Sequence, residues 1–386
     1  MQVRTMCSVL PNRQRRLHDS AARFAMDFLA PRNDLRIADA PPADIEPAFV
    51  RNKLRGLALP RKFGGSGGGY LDLAVAAQAL TQYGGNPGIV LSWLLQEMVA
   101  RTLVAERAFA KQKARYLPRM VTGEITAALA VSEPGTVARR DSLHTRAERR
   151  GDSFVLSGEK TFVTNAPIAD LFIVVAVTGN RDGKNELSAF LVPAGTPGLT
   201  RTKPLSLSFL RPCPHGGILL TNCIVPVDAL LGRQGCGYED AAVRFRAFED
   251  VLMASLFAGM MSAQLDLVTA DSSLPETDET LCTRLGRLRI MRDAAQALSY
   301  SGAAMLKDCN VPVEALSVAI ACRNLAEEFQ TVLQQIVSAH PVKAETSLSQ
   351  LTDDLTGMLS IAKNIAALRQ KKFGAELIKG AKQNEL

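Results

Sequence analysis

Apolar residues recur at helical spacing from 15 to 112, with breaks at Pro31, at Pro41-Pro42 and in the glycine-rich turn at 64–69. This pattern predicts a helical N-terminal third. From about 125 to 232 the period falls to two, and runs such as Phe154-Val155-Leu156, 171–177 and 188–192 are separated by polar turns. Asn180-Arg181-Asp182-Gly183 reads as the loop of a hairpin, and the whole stretch as a compact β-domain. From Tyr238 onward long helical patterns return, interrupted at 272–275, 310–312 and near Pro341, which predicts about four long amphipathic helices in a bundle. The chain is thus expected to be α+β in three parts: a helical domain over 1–122, a β-barrel or sandwich over 123–234 and a helical bundle over 235–386.

Composition narrows the class. With 386 residues, 47% of them hydrophobic, the chain buries a large core and exceeds one ordinary packing unit. It contains no run of 18 uncharged apolar residues, so no membrane span is expected, and the N-terminus lacks an apolar core of secretory length. A cytoplasmic location is the expectation. The seven cysteines form no C-x-x-C pair and only four histidines are present, which argues for reduced thiols and against a metal centre. The net charge of +7 is spread through amphipathic segments and only 5% of residues are aromatic, so no surface for tracking a nucleic acid is predicted. A polyanionic substrate explains the sign equally well.

The richest block runs from 128 to 170. It places Ser132 before Glu133-Pro134-Gly135 at the end of an apolar run, then Gly158-Glu159-Lys160, then Phe162-Val163-Thr164-Asn165. Backbone N–H groups and hydroxyls at strand ends suit the rim of a flavin ring, and an aromatic suits its face. The block resembles the central domain of acyl-CoA dehydrogenases. Further segments resemble the same family: Gly56-Leu57-Ala58-Leu59-Pro60 through Gly64-Gly65, the helix end Lys113-Ala114-Arg115-Tyr116-Leu117-Pro118, and the exit strand 217–226 with Leu230-Leu231-Gly232. The glycines at 64–69 lack the Gly-Lys-Ser/Thr ending of a phosphate loop and read as a turn.

The resemblance implies FAD, with Val131 offering a backbone N–H and Ser132 a hydroxyl to the pyrimidine edge, Phe162 covering the ring and Thr164 meeting its reactive side. Singly, Ser132 also suits a turn cap, Thr164 a strand and Phe162 a core position. Two departures stand out. The family's Gly-Ser-Asp triplet near the cofactor phosphates falls on Val137-Ala138-Arg139, where Arg139 and Arg140 offer either phosphate pairing or a solvated basic hairpin. After Leu265-Asp266-Leu267 the family's R-x-x-F-G segment is replaced by a sequence, 268–277, that reads as a loop.

The family's C-terminal Y-E-G-T glutamate is also missing, since 359–369 contains no Glu, and Ser338-Ala339-His340-Pro341 stands near where G-G-x-G is expected. Glu249 to Gly259 aligns without a gap with the E-R-L-x-x-A-x-x-x-x-G helix that carries the base in isovaleryl-CoA dehydrogenases, with Asp250 in place of the arginine. Glu249 is therefore the candidate base, against the alternative of an exposed glutamate near a helix start. The resemblance implies α,β-dehydrogenation of an acyl-CoA thioester, an electron-transfer flavoprotein as acceptor, and a homodimer or homotetramer. Two alternatives remain open: a redox-inactive paralogue acting as a binding or scaffolding subunit, and a flavin-dependent monooxygenase of the same fold using His215 or His340.

Overall fold

The computed structural model describes residues 10–135, 139–307, 310–343, 345–361 and 363–383. Val137, Ala138, Cys7 and Cys309 lie outside these residues. The N-terminal helices are Asn12–Phe24 (α1), Ile45–Arg51 (α2), Tyr70–Gly84 (α3), Pro87–Met98 (α4) and Ala110–Val121 (α5). α4 starts where sequence says it should, because the Asn86 side chain accepts from Ile89 N at 3.0 Å and Pro87 takes the first position. Every residue of α4 is buried, so it carries no polar stripe. A wider, π-type stretch, Val99–Ala105, prolongs it toward the cavities described below. Pro118 does not end α5 as its family-like motif suggested; the helix runs on to Val121, with the proline one turn from its end.

The strands are Ala127–Ala130 (β1), Arg146–Arg150 (β2), Ser153–Thr164 (β3), Leu171–Arg181 (β4), Lys184–Pro193 (β5), Leu199–Arg201 (β6), His215–Pro226 (β7) and Leu230–Leu231 (β8). They form one sheet in the order β6-β7-β3-β2-β4-β5-β8, with β1 joined parallel to β4. The expected hairpin is tighter than its four-residue loop: β4 and β5 are linked by Asp182-Gly183 alone, both at positive φ (53° and 78°) as a two-residue hairpin turn requires. β4 is apolar on both faces because it separates two cores. Leu171, Ile173 and Val175 join the large helical core, whereas Phe172, Val174 and Ala176 join a smaller core within the sheet, with Phe154, Phe190 and Ile218.

The C-terminal part has five helices among the described residues: Arg244–Thr269 (α6), Glu279–Met305 (α7), Val313–Ala339 (α8), Glu345–Ser360 (α9) and Lys363–Gln383 (α10). The three expected interruptions fall between α6, α7, α8 and α9, and a further break after Ser360 frees α10. α6 is the central strut, packing on α3, α7, α8 and α9. Gly259 allows that approach, since a Cβ there would lie 2.7 Å from Thr81 Cβ and 2.8 Å from Gln78 O. Two helical stretches, 87–105 and 238–269, are long and apolar enough to cross a bilayer, but 89% and 83% of their windows are buried inside the fold. They are core helices.

Candidate functional site

Two adjoining cavities, of about 470 and 440 Å³, open between the sheet and the helices. Ser132, Phe162, Thr164 and Glu249 line both, and Val131 lines the first. The five residues singled out from sequence, separated by up to 118 positions, therefore face a single cleft.

On the sheet side, the segment after β1 is fixed by an ion pair that the sequence reading passed over. Lys160 has a fully buried side chain, and its Nζ donates to Glu133 Oε1 at 2.8 Å and to the Val131 carbonyl at 2.9 Å. Glu133 also accepts from the backbone N–H groups of His144 and Thr145, at 2.6 and 2.9 Å. Burial works against both charges. It lowers the Lys160 pKa to about 8, whereas Lys160 and the other donors outweigh it at Glu133 and hold that carboxyl below its usual range. Thr161 N donates to the Ser132 carbonyl at 2.9 Å, so the strip 131–133 is tied to β3 on both sides. Ser132 lines the cleft.

Phe162 adopts a left-handed backbone (φ 53°) and is 69% exposed, an unusual state for a large aromatic at the end of a strand. It stands over the cleft and belongs to neither core. Asn165 explains the end of the motif. It too is left-handed (φ 65°), a conformation that asparagine tolerates, and its amide exchanges hydrogen bonds with Ser92 of α4, accepting from the hydroxyl at 2.6 Å and donating to the carbonyl at 2.9 Å. Thr164 is thereby held between sheet and helix. His215 Nδ1–H donates to the Cys213 carbonyl at 3.0 Å, so Nε2 accepts from the Thr164 hydroxyl at 3.1 Å. Burial lowers the His215 pKa, keeping the ring neutral and the Thr164 oxygen lone pairs free toward the cleft.

On the helix side, Glu249 lies within α6, well inside a helical run that begins at Tyr238, and its side chain is 21% exposed. The exposed helix-start alternative does not apply. Arg246 Nη1 stands 3.3 Å from Glu249, Arg246 Nε lies 2.9 Å from Asp250, and Asp250 is paired again with Arg369 of α10. Burial raises the Glu249 pKa above the ordinary carboxylate value; Arg246 opposes the rise and Asp250 adds to it. Such a carboxyl is poised to accept a proton from a weak carbon acid. Asp250 was marked from sequence, but Arg246 and Arg369 were not; the i, i+3 and i, i+4 spacing of Arg246 to Glu249 and Asp250 was the signal available for the first of them.

Other expectations fall elsewhere. Arg140 is ion-paired with Glu239 and lies over the Tyr238 ring at 5.6 Å, while Arg139 is exposed. His340 sits by Asp278, 3.3 Å away and outside the cleft. Among the described residues no cluster of metal-ligating side chains occurs, and five cysteines are free thiols, three of them buried.

The family model described as "Acyl-CoA dehydrogenase, N-terminal domain" matches residues 11–124, and "Acyl-CoA dehydrogenase, middle domain" matches 128–223. An L-prolyl-[peptidyl-carrier protein] dehydrogenase of Serratia sp. is 31% identical over 265 residues, covering 67% of this chain and 67% of the relative. A mitochondrial isovaleryl-CoA dehydrogenase of Solanum tuberosum is 29% identical over 66% of this chain and 62% of its own length. Several relatives are matched over only 56–63% of their length. The solved butyryl-CoA dehydrogenase of Megasphaera elsdenii superimposes with a TM-score of 0.85 at 22% identity, covering 96% of this chain and 99% of that one.

Proposed function

Because the chain belongs to the acyl-CoA dehydrogenase family, we propose that it binds FAD in the first cavity and dehydrogenates an acyl thioester at Cα–Cβ, with Glu249 as the base. The observation that carries this reading is the convergence of Ser132, Phe162 and Thr164 from the sheet and Glu249 from α6 on one cleft. The fit to a flavin rests on the exposed, left-handed Phe162, the lysine-braced backbone at 131–133 and the Thr164 hydroxyl, whose proton is committed to His215. Bound FAD supplies the hydride acceptor for Cβ. Val131 and Ser132 would hold the pyrimidine edge, Phe162 would cover the ring, and Thr164 would offer it oxygen lone pairs.

Glu249 removes the α-proton. Its burial brings it closer to the acidity of a thioester α-carbon, and Arg246, itself tied to Asp250, pairs with it. The thioester is carried by coenzyme A, the acceptor is an electron-transfer flavoprotein, and the chain assembles as a homodimer or homotetramer. The exposed apolar side chains Leu368, Leu377 and Ile378 on α10 supply a surface for that contact. The three-part division at 122 and 234 is retained as the domain scheme, and the free thiols agree with a cytoplasmic compartment. Neither alternative gains a specific observation, since both His215 nitrogens are engaged and His340 lies outside the cleft.

The test is a visible spectrum of the purified protein followed by anaerobic acyl-CoA titration. Flavin bands that bleach on titration are expected. A colourless protein that also takes up no added FAD sinks the proposal.

A further inference from the structure

The second cavity carries more charge than proton abstraction needs. Five charged side chains line it: the guanidinium groups of Arg246, Arg323 and Arg369 and the carboxylates of Glu249 and Asp250. Arg246 and Arg369 are spent on the two carboxylates. Arg323 is not. It projects from α8, is 9% exposed, and its Nη1 donates to the Ile361 carbonyl at 3.2 Å. Its Nε lies 3.6 Å from Glu327, too far for a hydrogen bond, and that glutamate is 46% exposed. Nη2 is buried and has no hydrogen-bond partner among the described residues. Around it the wall is apolar, with Met253, Phe257, Ala319, Ile320 and Met358. A guanidinium with an orphaned, buried donor is costly unless an acceptor completes it. The long ion pair with Glu327 offsets part of the charge, but it leaves the Nη2 donor without a hydrogen bond.

Resting on the thioester reading above, we infer that Arg323 recognises a carboxylate at the far end of the acyl chain, so that the preferred substrates are ω-carboxyacyl thioesters and not plain alkanoyl ones. The methylenes of such a chain pack on the apolar wall, and the terminal carboxylate takes the Nη2 donor in a charge-assisted bond. A plain alkyl chain of equal length fills the same volume but leaves the donor unpaired, which is how a polar site rejects an analogue lacking the matching group.

The test uses unreactive thioethers on the purified holoprotein, with dissociation constants from calorimetry: S-hexyl-CoA, S-(5-carboxypentyl)-CoA and free CoA. The carboxylated ligand is expected to bind about 10- to 100-fold more tightly than the hexyl ligand. In Arg323→Met that preference collapses while hexyl binding holds or improves; in Arg323→Lys part of it survives. Equal or tighter binding of the hexyl ligand to the unaltered protein overturns the inference, and this comparison does not depend on any variant folding. If Arg323→Met weakens all three ligands alike, the residue serves the phosphates of CoA and the inference also fails. Failure of all three to bind overturns the thioester reading together with the inference, whereas tight hexyl binding without carboxylate preference overturns the inference alone.

Discussion

Replacing Lys160 by Met tests whether the buried ion pair holds the strip that lines the cleft. The substitution keeps length and apolar bulk but deletes two bonds, to Glu133 at 2.8 Å and to the Val131 carbonyl at 2.9 Å. Breaking a buried pair by removing one partner costs about 3–5 kcal/mol, because the other charge stays buried. The unpaired Val131 carbonyl adds about 1–3 kcal/mol. Against this, Glu133 keeps its two backbone donors at His144 and Thr145, and an apolar stem of similar bulk stays buried. A net loss of about 3 kcal/mol is expected. Adding Glu133→Gln to Lys160→Met removes the stranded charge and should recover about 2 kcal/mol, so the two single losses are not additive. Urea unfolding at neutral pH measures the cycle through shifts in midpoint at constant slope. The pair also predicts a pH signature. Glu133 is held below its usual pKa, so its stabilisation is complete above about 4.5 and is lost as pH falls below that value; the loss on acidification should be smaller in Lys160→Met. A single-variant cost under about 1 kcal/mol, or strict additivity in the cycle, refutes the reasoning.

Glu249→Gln should retain flavin colour and lower turnover by about 100-fold or more, measured with a dye acceptor; undiminished turnover removes Glu249 from the role of base. In the unaltered protein kcat/KM should rise with pH through an inflection above 4.5, because burial raises the Glu249 pKa and only the ionised form accepts a proton. Asp271, in the loop after α6, is held at a pKa of about 2 by the Ser273 hydroxyl and by the backbone N–H groups of Lys343 and Ser273. Its contribution is present above about pH 4 and is lost as pH falls through 2, so the gap in melting temperature between the protein and Asp271→Asn should close over that range. Gly259→Ala forces a methyl group onto Thr81 and the Gln78 carbonyl, and should cost about 1–3 kcal/mol in chemical unfolding; a neutral effect means that α3 and α6 yield more easily than their contact implies.

What the sequence disclosed follows from the range of each interaction. Helix and strand periods are local, so the change from period 3.6 to 2 near 125 and back near 238 was readable. The same holds for Phe162 to Asn165, where four consecutive residues carry the signal. The partners of those residues were not readable. Lys160 reaches Glu133 across 27 positions, Asn165 clamps Ser92 across 73, and His215 meets Thr164 only because β3 and β7 pair with two register shifts. A bulge moves every later side chain to the other face, so no count along the chain predicts which residue of β7 faces Thr164. The C-terminal helices were legible as helices, but which of their charges entered the cleft depended on packing.

That packing changes how the missing C-terminal glutamate is understood. The stretch that lacks it supplies Arg369 instead, paired with Asp250 next to Glu249. On the proposed reading the base stands on α6, and the C-terminal segment contributes a cation that binds the neighbouring carboxylate. Removing Arg369 would leave Asp250 paired with Arg246 alone, drawing Arg246 from Glu249 and raising the acidity threshold of the base further. Asp250, Arg246, Arg369 and Glu249 thus form one charge network.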